Sequence, residues 1–171
     1  MIPDNPSAMS AFVEKELAEI GELQKTDGKQ FCQRMSAVAN YLKILRRLPE
    51  AQNILEQIDE VIKSSNLGLK THIVNQLRWA DVKRYNYEFS AAKNMFEESL
   101  IAIDSNPELS EYKDFALQHL GKLYFDTKDY QNALNFFNDA LKLRQLKKNQ
   151  ELIESTQFAI DRTIKNLEKI L

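Results

Sequence analysis

The chain has 171 residues, 43% of them hydrophobic and 28% charged, with a formal net charge of −2. This is ordinary globular usage with enough chain for a sizeable core, and the acidic balance excludes a global positive field that would gather nucleic acid or an anionic membrane. Four glycines and four prolines give too little punctuation for the many turns of a β-sandwich or barrel, so helices are expected.

The amino terminus, Met1-Ile2-Pro3-Asp4, lacks the basic start and apolar core of a secretory signal, and no run of about 18 uncharged apolar residues occurs anywhere. A reducing cytoplasm is the expected location. Asn5-Pro6 offers a helix cap followed by proline at the first helical position, and Phe12, Leu17, Ile20 and Leu23 trace an apolar stripe to about residue 24. Lys25-Thr26-Asp27-Gly28-Lys29 breaks this first helix. Cys32, the single cysteine, sits in an apolar run and reads as a small buried hydrophobe rather than a reactive thiol.

Phe31, Met35, Val38, Leu42 and Leu45 recur at spacings of three and four, which predicts a one-faced helix over about 30–46. Pro49 opens a partner over about 49–65, and Asn66-Leu67-Gly68 ends it with a glycine tolerant of left-handed backbone. The unit recurs as helices over about 69–86 and 88–104, stopped at Asn106-Pro107, and again over 109–127 and 129–147. A last helix from about 150 carries Ile153, Thr156, Ile160, Ile164, Leu167 and Leu171 on one stripe, suited to covering the open end of a stack.

The recurrence is internal repetition. Ala39, Ala80 and Gly121 are separated by 41 residues (80 − 39 and 121 − 80), as are Ala51, Ala92 and Ala133, and Leu55, Phe96 and Phe137. Leu48, Phe89 and Tyr130 keep the same register. Repeat arrays bind more often than they catalyse.

Leu120-Gly121, Tyr124, Asp129-Tyr130, Ala133, Phe137 and Ala140 resemble the signature of the tetratricopeptide repeat (TPR) family, in which small residues sit where two antiparallel helices cross. The second repeat keeps Trp79-Ala80, Phe89, Ala92 and Phe96, with Lys83 and Ser99 as departures; the first keeps Ala39, Leu48, Ala51 and Leu55. The family's unit is about 34 residues, so each repeat here is about seven longer, roughly 10 Å of extra helix at 1.5 Å per residue. Such long repeats are similar to those of kinesin light chains and bacterial peptide-sensing regulators. The resemblance implies an all-α, right-handed α-solenoid of about eight helices: an amino-terminal helix and linker (1–28), three hairpins (about 29–68, 69–108 and 109–148) and a capping helix (149–171).

In that family the first helix of each hairpin lines a concave groove that accepts an extended peptide or a partner's helix. The register places Ser36, Asn40, Lys43 and Ile44 there, then Leu77, Arg78, Asp81, Arg84 and Tyr85, then Phe115, Gln118, His119, Lys122 and Phe125. Candidate partner-binding residues are Asn40, Lys43, Arg78, Arg84, Tyr85, His119 and Lys122. The excess of basic groups suggests an acidic or carboxylate-bearing segment, since arginine grips a carboxylate through two parallel hydrogen bonds. The family's two-carboxylate clamp is not matched: its positions read Ser36, Asn40, Arg78, Phe115 and His119, of which only Asn40 fits. Trp79 occupies a core position.

Catalysis finds no foothold. His72 and His119 are far apart in sequence, no Cys/His cluster has metal spacing, and adjacent acids such as Glu97-Glu98 and Asp59-Glu60 point in different directions along a helix. The expectation is a non-catalytic protein-interaction module with no cofactor and no metal, partnered by a protein or peptide and not by nucleic acid or membrane. Competing expectations are a scaffold that homodimerises through residues 6–24 or 150–171, and a regulatory or sensor segment of a larger signalling protein.

Overall fold

The computed structural model describes residues 5–21 and 23–169. Met1–Asp4 and Leu171, which entered the reading of the termini, lie outside them. Among the described residues the chain is all-helical, with no strand. Its helices are α1 (Pro6–Glu19), α2 (Leu23–Thr26), α3 (Gly28–Ile44), α4 (Leu48–Ser64), α5 (Gly68–Tyr85), α6 (Phe89–Ser105), α7 (Lys113–Asp126), α8 (Tyr130–Leu146) and α9 (Gln150–Leu167), with a 3-10 turn at Pro107–Tyr112. The addition to the eight expected is the single turn α2: the first helix, expected to run to about residue 24, ends at Glu19, and α2 takes up the end of its apolar stripe and the start of the predicted break. Two compact units are present, Met1–Glu88 and Phe89–Leu171, so that α5 belongs to the first and α6 to the second.

Local signals set the helix starts. Asn5 Oδ1 accepts from the Ala8 amide at 2.9 Å ahead of Pro6. Asp27, Asp129 and Asn149 cap α3, α8 and α9 in the same way, at 2.9, 3.2 and 3.2 Å. The helix ends repeat even more regularly. Arg46, Tyr87 and Lys128 all have left-handed backbone, with φ of 62°, 62° and 64°. The amides of the residues that follow, Arg47, Glu88 and Asp129, each donate to the carbonyl five residues back at 2.9 Å, the six-to-one bond of a Schellman cap. The hairpin-to-hairpin turns use Asn66 (φ 47°) and Lys148 (φ 55°).

The repeat partner of Asn66 and Lys148 is Pro107. A proline ring fixes φ near about −65° and cannot enter the left-handed region. At this one turn the chain runs instead through the 3-10 segment, burying Leu109 completely, and α7 starts only at Lys113 with 14 residues. The predicted helix over 109–127 therefore loses its first turn to the proline. Gly68, expected to terminate α4, opens α5 at φ 82°, while Asn66 supplies the left-handed cap.

The second helices α4, α6 and α8 each run 17 residues without interruption. The extra length of the repeat is thus helix, with Val61, Ile62 and Ile103 continuing the buried stripe.

In the first unit, α3 packs on α4, α4 on α5, and α3 also on α5. Phe31, Met35, Val38, Leu42, Ala51, Leu55 and Ile58 form its core, with Trp79 packed against it. Each such large side chain contributes about 1.5–3 kcal/mol on burial. Helix α1 closes one side, through Phe12 edge-on to Tyr41 at 5.2 Å and ion pairs from Arg34 to Glu16 (2.7 Å) and Arg47 to Glu14 (2.8 Å). Cys32 is buried, its Sγ 3.9 Å from the Ile58 carbonyl, and burial pushes the thiol up to about 11.

In the second unit, α7 packs on α8 and α9 covers α8 while reaching α7. Gly121 lies so close to Phe137 that a Cβ there would fall 2.5 Å from the ring, which explains the small and large residues of the repeat register as one paired choice. Asp114 on α7 is buried between Arg144 (2.9 Å) and Lys147, and Arg144 also donates to Thr156 of α9 at 2.6 Å and to the Leu152 carbonyl at 3.3 Å. Thr156, predicted on the apolar stripe, is fully buried as part of this polar clasp.

Candidate functional site

Five of the seven candidate residues lie on α3 and α5 of the first unit. Lys43 lies one turn beyond Asn40 on α3. From α5, Arg84 and Tyr85 lie one turn beyond Asp81, and Arg78 one turn before it. Because α3 and α5 are the first helices of successive repeats, Asn40 and Asp81 hold the same register position.

Asp81 is the hub. Lys43 Nζ reaches its Oδ2 at 2.5 Å, and Arg84 Nε and Nη2 both lie 2.9 Å from Oδ1. The side chains of Lys43, Asp81 and Arg84 are only 12%, 3% and 9% exposed, so this carboxylate and its two cations are withdrawn from water together. The arginine-to-carboxylate grip that the sequence suggested for a partner is made here inside the protein.

Tyr85 closes the cluster from the solvent side. Arg84 Cζ, Lys43 Nζ and Arg46 Cζ stand 4.7, 5.1 and 5.1 Å from its ring centroid, within the range of cation–π attraction. Arg46 also donates to the Tyr85 carbonyl at 3.2 Å, a reach made from its left-handed backbone at the end of α3. Sequence reasoning did not include Arg46, since it lies past the helical stripe and only the turn geometry brings it back.

Arg78 is different from its neighbours. Burial pulls its guanidinium below the ordinary arginine pKa, and the nearby charge of Asp81 only partly opposes this. Its Nε is buried without a hydrogen-bond partner, and among the described residues the side chain makes no ion pair. The residue as a whole is half-buried, so the cost of its unmet Nε is modest, on the order of 1 kcal/mol. Asn40 is half-buried one turn from Lys43.

His119 and Lys122 belong to the second unit. His119 is buried between aromatic rings, its centroid 4.2 Å from Phe115 and 5.8 Å from Phe96. This is a packing environment, with Phe115 spent on the same stack. Lys122 is half-buried on α7.

Asp81 itself was legible as a groove position but not as a hub. The available signal was an acid flanked three residues away on each side by Arg78 and Arg84, at a register position where the other repeats carry Asn40 and Lys122. Among the described residues, no group of three or more His, Cys, Asp or Glu side chains is placed to hold a metal ion, and no helix is long and apolar enough to cross a membrane. No family model matches the chain, and no curated protein matches it.

Proposed function

We propose that this chain is a non-catalytic, cytoplasmic protein-interaction module of the long-repeat TPR type, and that its α3–α5 face takes an acidic segment of a partner protein. The observation that carries the reading is Arg78: a partly desolvated guanidinium that makes no ion pair among the described residues, beside a cluster in which Lys43 and Arg84 share the Asp81 carboxylate. An aspartate or glutamate arriving from a partner supplies the missing counter-charge and two parallel hydrogen bonds. Tyr85 and Arg46 offer a flat amphipathic contact at the edge of the same face, the residue types that anchor many interfaces. The 41-residue repeat of hairpins supports the family assignment, because it is the architecture on which such faces are built.

The test is affinity capture from cell extract followed by mass spectrometry, comparing the full chain with Arg78→Met. Partners recovered by the wild type and lost by the variant, at unchanged helical content and melting temperature, are the expected result. An identical set of partners from both proteins would remove Arg78, and with it the acidic-segment reading.

A further inference from the structure

We propose that Asp81 is a specificity-determining residue: by holding Lys43 and Arg84 in internal ion pairs, it restricts the α3–α5 face to partner segments that present a single carboxylate at Arg78. This rests on the preceding reading and narrows it to a ligand class.

The face carries four cations, Lys43, Arg46, Arg78 and Arg84, which taken alone would favour a phosphate or a run of acids. Asp81 changes that balance. Its two oxygens are divided between Lys43 on one side and Arg84 on the other, and all three side chains are almost fully buried. Breaking either pair to serve an incoming anion would leave Asp81 buried and short of charge, which costs more than a surface contact returns. Arg46 is exposed, so its attraction to an anion is weakened by water and salt.

Arg78 remains as the only one of the four cations that is both desolvated and unpartnered among the described residues. A planar guanidinium whose Nε lacks an acceptor among the described residues matches one planar carboxylate. A second negative charge on the ligand, whether from a neighbouring acid or the extra ionisation of a phosphomonoester, would sit one helical turn from Asp81 with no cation released to meet it. Like charges in that position repel.

A phage-displayed library of random dodecapeptides, panned on the full chain, gives the first readout: the wild type is expected to enrich peptides with one aspartate or glutamate. The enriched peptide is then resynthesised with phosphoserine, and separately with two consecutive glutamates, in place of that acid. Binding by isothermal titration should weaken at least about tenfold for each. Asp81→Asn, which is isosteric but frees Lys43 and Arg84, should reverse the order and favour the doubly charged peptides. Wild-type binding of the phosphoserine or double-glutamate peptide as tight as that of the parent overturns the inference, whether or not Asp81→Asn folds. If acid-bearing peptides are enriched and lost in Arg78→Met but multiple acids are preferred, the inference fails while the proposed function stands. Enrichment of peptides without acids, or of none, overturns both.

Discussion

Each unit buries an aspartate between one lysine and one arginine, and the two clusters differ in what is left over. Around Asp114, every cation has a destination: Arg144 serves Asp114, Thr156 and the Leu152 carbonyl, and Lys147 serves Asp114 and the Glu111 carbonyl. Around Asp81, Lys43 and Arg84 are equally engaged, but Arg78 stands beside them with a buried Nε that has no acceptor among the described residues. The closed network ties α9 to α7 and α8 and has no valence to offer a ligand. The open one has. Completeness of pairing, rather than the presence of charge, separates a clasp from a binding face.

The comparison breaks first at Asp114. Asp114→Ala strands Arg144 in the interior and should lower the unfolding free energy by about 3–5 kcal/mol, measured by urea denaturation followed by circular dichroism. A loss under 1 kcal/mol would mean that the clasp is solvated and the contrast with Asp81 void.

The interior of the first unit is next, reported by Cys32. Its thiol is held up at about 11, against 9.0 for an ordinary one. Below pH 9 both folded and unfolded chains keep the proton and stability is flat; between about pH 9 and 11 only the unfolded chain loses it, so stability falls as pH rises. The loss should reach about 2–3 kcal/mol, read as the difference between wild type and Cys32→Ala across that window. Parallel pH profiles would show that water reaches this core, and the burial argument for the neighbouring cluster would weaken with it.

Gly121→Ala probes the second unit's packing. The added Cβ would meet the Phe137 ring at 2.5 Å, and relief by shifting α7 against α8 should cost about 1–3 kcal/mol. A second change, Phe137→Leu, which recreates the Ala39 and Leu55 pairing of the first repeat, should recover part of it. The smallest effect belongs to Arg78→Met: stability unchanged or raised by up to about 1 kcal/mol, because the replaced cation has no ion-pair partner among the described residues to lose. Destabilisation comparable to that of Asp114→Ala would show that Arg78 is paired in solution and that both clusters are closed.

Much of the fold was legible because tight helix crossings impose a size pattern: Ala39, Ala80 and Gly121 against Leu55, Phe96 and Phe137 is the packing written as spacing. Most helix ends lie within two residues of expectation. The misses are the end of the first helix, expected near residue 24 and found at Glu19, and the start of α7, where Pro107, barred from the left-handed region, rebuilds a turn; the left-handed backbone of Arg46, Tyr87 and Lys128 has no glycine to announce it. For the candidate site, the register grouped Arg78, Arg84, Tyr85 and Lys43 on first helices. It did not reveal which charges cancel, because the pairing of Lys43 with Asp81 joins residues 38 apart and depends on how α3 leans on α5. His119, grouped with them by register, is committed to Phe115 and Phe96, a stacking partnership that hydrophobic periodicity does not encode.

The left-handed turn at Arg46 has a consequence for engineering. Glycine there would relieve roughly 1 kcal/mol of backbone cost, and a stability screen would select it. The same exchange would delete the guanidinium that rests on Tyr85 and its carbonyl. A more robust version of this protein, evolved for heat alone, is therefore expected to trade away the rim of its recognition surface at its cheapest thermodynamic improvement.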